Sequence, residues 1–147
     1  MIVGERILEV SGNKALKGNP KGLGINIALE DVKLNEENKD IIEITYVYTA
    51  NYQENIGEIK IKGILLERED GKTSKFDARN IAETWKKSKK VPDDYASIVL
   101  SQVNYSGSAN GTLLARVLNL SAPLIPPRIQ LNKGAEAGAA QAPKAKK

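Results

Sequence analysis

The sequence predicts an α+β fold, and three observations carry that reading. Apolar residues alternate with period two between Ile25 and Arg68, the period shifts to near 3.6 after Gly71, and at 147 residues the chain suits one core but is too short for two well-buried ones. We place a single domain over residues 1–131, opened by a basic, loop-rich part at 1–24, and expect residues 132–147 to form a disordered basic low-complexity tail.

The first strand candidate is Glu5 to Val10, with Ile7, Leu8 and Val10. Ser11 to Gly24 is rich in glycine, asparagine and lysine and reads as a loop. It lacks the Gly-Lys-Ser/Thr ending of a phosphate-cradling loop. Ile25, Ile27 and Leu29 trace one face of a strand that resumes at Val32 and Leu34 in the opposite phase. An odd step flips faces, so a bulge near Glu30 and Asp31, or a twist between two sheet environments, is expected. Ile41 to Thr49 is the clearest strand, with Ile42, Ile44, Tyr46 and Tyr48 on one face. A polar connection, Asn51 to Gly57, holds two apolar side chains, Tyr52 and Ile56. The strand Glu58 to Arg68 follows, and Gly63 on its apolar face marks a bend, a close neighbour or a contact site.

Helical spacing starts at Phe76. Ala78, Ile81, Ala82 and Trp85 form one stripe, Asp77 is the expected cap and Phe76 the staple residue before it. Lys86, Lys87, Lys89 and Lys90 crowd the end, where they complement the helix dipole, and Val91-Pro92 stops the helix. Asp93 and Asp94 read as capping residues of the next helix rather than an acid–base pair. From Tyr95 onward, Ile98, Val99, Gln102 and Tyr105 trace a face, and Leu113, Leu114, Val117 and Leu118 trace another. Between them, Gly107, Gly111 and Ala115 fall at i, i+4 and i+8. Either one continuous helix presents a smooth stripe there, or a loop joins two helices, because glycine costs about 1 kcal/mol in a helix. Ser121 to Leu131 cannot be helical; its prolines favour extended geometry.

Composition narrows the function classes. With no Cys and no His, thiol nucleophiles, disulfides, imidazole ligands and the usual near-neutral proton carrier are missing, so an enzyme, a metal and a cofactor are not expected. MIVGERILEV carries Glu5, Arg6 and Glu9 where a signal peptide would need an apolar run, and no later segment approaches the roughly 18 apolar residues of a membrane span. A soluble cytoplasmic protein is expected. The net charge of +4 is unevenly laid out: residues 1–22 carry about +2, 23–70 about −6, 71–90 about +5, 91–132 about zero and the tail about +3.

One resemblance adds to this. Trp85-Lys86-Lys87 to Lys89-Lys90-Val91-Pro92, then Leu113-Leu114-Ala115 to Leu120, and the exit Pro123-Leu124-Ile125-Pro126-Pro127-Arg128-Ile129 resemble a small archaeal family described as SecB-like, over about residues 25–131. The resemblance implies a twisted four-stranded antiparallel sheet backed by helices, assembled as a homo-oligomer, a dimer or dimer of dimers. It implies an ATP-independent holdase that binds unfolded or pre-export polypeptides through apolar grooves. The acidic stretch from Glu30 to Asp70 is similar in character to the sheet face through which bacterial SecB hands cargo to its export motor, with no residue-by-residue match.

Client contact is expected at Tyr52 and Ile56 in the connection and at Leu124, Ile125 and Ile129 in the exit, or else these are core residues. The rival reading is RNA binding or ribosome association. There Arg79, Lys86, Lys87, Lys89 and Lys90 beside Trp85 would meet phosphates, with the loop Lys14 to Lys21 and the lysine-ending tail adding contacts.

Overall fold

The computed structural model describes residues 1–18, 22–69 and 76–124. Four strands, β1 (Ile2–Lys14), β2 (Leu23–Leu34), β3 (Ile41–Tyr52) and β4 (Gly57–Arg68), form one antiparallel sheet in the order β1-β4-β3-β2. Two helices follow, α1 (Ala78–Ser88) and α2 (Asp93–Leu118), and both cover the same sheet face.

The central pair, β3 and β4, supplies the core because its alternation is strict. Ile42, Ile44, Tyr46, Tyr48, Ala50 and Tyr52 point to the helices from β3. Ile59, Ile61 and Leu65 stand opposite on β4. The other face is mixed, with Glu43, Thr45, Thr49, Lys60 and Lys62 beside Val47, Ile64 and Leu66. Gly63 sits opposite Tyr46, and a Cβ there would lie 2.6 Å from the Tyr46 hydroxyl oxygen, so a close neighbour explains the glycine. The expected bulge in β2 lies between Leu29 and Asp31, where the register with β3 shifts and the apolar phase changes.

Three expectations are corrected. The loop read at Ser11 to Gly24 gives its first four residues to β1 and its last two from Leu23 to β2. Ser11, Gly12 and Asn13 pair with Lys60, Ile59 and Glu58 through backbone alone, so tertiary pairing overrides their weak strand propensity. The polar connection after β3 starts later than its composition suggests. Tyr52 keeps the even-numbered phase of β3, and only Gln53–Asn55 form a short 3-10 turn. At the start of α2, Asp93 and Asp94 are not caps: Pro92 holds the N-cap position with no side-chain bond, and the two carboxylates occupy the first turn, where the dipole favours them.

Asp77 caps α1 as its sequence indicates, its carboxylate accepting from the amides of Arg79 (2.8 Å) and Asn80 (3.2 Å). The helix closes at Lys89 in the left-handed region, whose amide donates to the Trp85 carbonyl. Of the two arrangements the sequence left open at 107–111, the continuous helix is found, running 26 residues. Its small-residue stripe faces inward. A Cβ on Gly107 would run into the Tyr48 ring, a Cβ on Gly111 would lie 2.8 Å from the Pro123 ring, and Ala115 is buried. The glycines weaken the isolated helix but let it settle directly on β3.

Candidate functional site

Two polar ties fix α2 and the exit chain over the sheet. The Glu5 carboxylate on β1 accepts from the hydroxyls of Tyr46 on β3 and Ser106 on α2, the latter at 2.6 Å. The Tyr52 hydroxyl donates to the Ser121 carbonyl just after α2. Burial raises the pKa of Tyr46, Tyr48 and Tyr52 above the ordinary phenol value, with the Glu5 carboxylate adding to it at Tyr46. Tyr95 at the start of α2 is raised in the same way, first by burial and then by Glu67 beside it. At neutral pH these phenols are therefore protonated.

The residues expected to touch clients are not gathered on one surface. Tyr52 is 3% exposed and Ile56 5%, both inside the core. Ile56 underlies Gly18, and Tyr52 is spent on its bond to Ser121, so neither is available on the outside of this chain. Leu124 is 65% exposed, at the end of a segment in which Leu120 and Pro123 are buried. Ile125 and Ile129 lie outside the described residues.

Other large apolar side chains are exposed on β1 and α2. On β1, Ile7 and Val10 stand opposite Gly63 and Ile61 and therefore share the helix-covered face, yet both stay exposed. The reason is where α2 crosses. It touches β1 through Ser106 at Glu5 and through Leu118, which lies over Gly12, while Ile7 and Val10 between these two points remain exposed. Leu8, at the register break between Ile7 and Glu9, is exposed too. On α2, Ile98, Tyr105, Leu113 and Val117 are exposed, the last at 85%. Ile98 and Tyr105 are seven residues apart, two turns along the same outer face of the helix. A helical moment reports that a stripe is apolar, not that a neighbour covers it, so periodicity alone could not have told this surface from core. Among the described residues no strand pairs with the outer side of β1, an edge of the kind another chain can pair with.

The basic residues separate into groups. Arg79 and Lys86 on α1 line a cleft of about 340 Å³ with Lys33 at the end of β2 and Lys39 on the β2–β3 turn. Lys89 and Lys90 border a second cavity of about 430 Å³ with Leu29, Trp85 and Val91. Lys87 is exposed and lines neither. Trp85 is 6% exposed, with the Lys89 ammonium 5.5 Å from its ring centre, so it offers no open face on which a base could stack. Among the described residues, no cluster of three or more carboxylates could hold a metal ion, and no helix is long and apolar enough to cross a membrane.

No protein-family model and no curated protein matches the chain. Among solved structures, a Mycobacterium tuberculosis protein, the Rv1957 SecB-like chaperone in complex with a ChAD peptide from the Rv1956 HigA1 antitoxin, is similar with a TM-score of 0.53 at 8% identity. The match covers 86% of this chain and 85% of that one. A likeness of that extent at so low an identity is a likeness of fold, and the fold of this chain is SecB-like.

Proposed function

We propose that this chain is an ATP-independent molecular chaperone, a holdase that keeps unfolded polypeptides from aggregating. The observation that carries the reading is the exposed apolar surface formed by Ile7, Leu8 and Val10 on β1 and by Ile98, Tyr105, Leu113 and Val117 on α2, beside an open strand edge. An unfolded chain offers apolar side chains and unpaired backbone groups. The β1 edge answers the backbone and the exposed side chains answer the rest. Leu124 extends this chemistry from the exit segment, with Ile125 and Ile129 beyond it. The fold supports the reading, since the SecB-like chaperone it resembles was solved with a bound peptide.

The working unit of the proposal is the domain at residues 1–131, soluble and cytoplasmic, a member of the archaeal SecB-like group, using no cofactor and performing no reaction. Assembly belongs to it as well: an uncovered edge strand and apolar helix face are surfaces that proteins usually shield, and pairing between copies into a dimer or tetramer covers part of them. Delivery of clients to an export motor is the finer form of the role. The test pairs Leu113→Asp with Val117→Asp. Both side chains point outward, so the variant keeps its fold by circular dichroism and loses protection of an aggregating client. Undiminished protection by the folded variant would remove the α2 surface from the proposal.

A further inference from the structure

The cleft between α1 and the β2–β3 turn is lined mainly by cations. Four cations line it, Lys33, Lys39, Arg79 and Lys86, against one carboxylate, Glu83. Lys33 is partly neutralised by Glu43 at 3.6 Å, and the Lys39 ammonium donates to the Asn35 carbonyl at 3.1 Å. Glu36, Glu37 and Asp40 belong to the same turn without lining the cleft. Arg79 and Lys86 have no ion pair within 4.0 Å among the described residues. Leu34 and Ala82 complete the lining.

From this arrangement we propose that the cleft is a second binding site, one that takes an acidic segment of a polypeptide. The inference rests on the client reading above and adds a class of sequence to it. Arg79 and Lys86 are seven residues apart on α1, which places their Cα atoms roughly 10 Å apart along the axis. A peptide in polyproline II geometry, with three residues per turn and a rise of roughly 3.1 Å per residue, sets carboxylates three residues apart on one face at roughly 9 Å. Leu34 and Ala82 give methylene groups of such a peptide an apolar surface to lie on. A nucleic acid fits less well, because no aromatic side chain lines the cleft and bases have nothing to stack against. The cleft is also separate from the β1 and α2 surface, so an acidic run and an apolar run of one client can engage the two sites together, raising affinity through effective concentration.

The test is fluorescence anisotropy with three labelled probes on the full chain: a peptide with Asp at every third position, its Asn counterpart, and a single-stranded RNA of equal charge. At low ionic strength the Asp peptide binds about tenfold tighter than the Asn peptide, a preference that fades as salt rises. Arg79→Glu with Lys86→Glu removes the preference, whereas Lys87→Glu, outside the cleft, keeps it. Equal binding of the two peptides overturns the proposal, as does a preference that survives the double substitution. RNA binding as tight as the Asp peptide and lost in the same variant also overturns it, by making the cleft a phosphate site. Client protection is measured alongside: protection without acidic preference defeats the cleft alone, and acidic preference without protection defeats the holdase reading alone.

Discussion

Replacing Gly107 by alanine sets two effects of opposite sign against each other. In an isolated helix the change is favourable by about 1 kcal/mol, since alanine is the better helix former. In this protein the new Cβ enters the space of the Tyr48 ring, close to the ring's attachment end rather than to a flexible tip, and Tyr48 is fully buried. Overpacking of that kind costs about 1–3 kcal/mol, and a site with no room to yield belongs at the upper end. The net expectation is a loss of about 1–2 kcal/mol, or a Tm lower by about 4–8 °C. Gly24→Ala is the control, because an added Cβ there meets no heavy atom within 4 Å. It should be neutral or stabilising by up to about 1 kcal/mol. Thermal unfolding followed by circular dichroism reads both. A Gly107→Ala protein that melts above the parent would refute the seating of α2 on Tyr48.

Two further predictions concern the polar ties and the buried phenols. Glu5→Gln weakens two charge-assisted bonds, to Tyr46 and Ser106, and should cost about 1–3 kcal/mol in urea unfolding, whereas Glu9→Gln, exposed on the same strand, should change little. Raised phenol pKa values make stability fall at alkaline pH: above about 10 the unfolded chain releases protons that the folded one retains, until the folded phenols titrate in turn. With Tyr46, Tyr48, Tyr52 and Tyr95 all shifted, unfolding should set in steeply beyond pH 10, and a flat stability profile from pH 9 to 11.5 would contradict their burial.

Sequence reading succeeded where one physical constraint dominated. In β3 and β4 one face is fully buried, so the alternation of Ile42 to Tyr48 and of Ile59 to Leu65 marks strands and faces alike. The phase change in β2 points to a bulge or a twist near Glu30, and the register shift between Leu29 and Asp31 shows that it is a bulge. The full length of β1 was hidden because an edge strand is held by backbone pairing, to which Ser11, Gly12 and Asn13 add no apolar signal. Tyr52 was read as part of a polar connection, although its even-numbered phase continues that of β3. For Ile56 the sequence leaves client contact and core both open, since the residues before it, Gln53, Glu54 and Asn55, are polar, and the structure places it in the core. For α2 the sequence marks faces without saying which is covered: the exposure of Ile98, Tyr105, Leu113 and Val117 depends on the path of α2 across the sheet.

The claim that this chain holds unfolded polypeptides through exposed apolar side chains is tested most directly by light scattering of a chemically denatured client diluted into buffer with and without the protein. The account predicts that stoichiometric protein suppresses the aggregation without ATP. Ile7→Asp with Val10→Asp, or Leu113→Asp with Val117→Asp, should abolish suppression while circular dichroism stays that of the parent. Aggregation that proceeds unchanged beside an excess of the folded parent protein would contradict the claim.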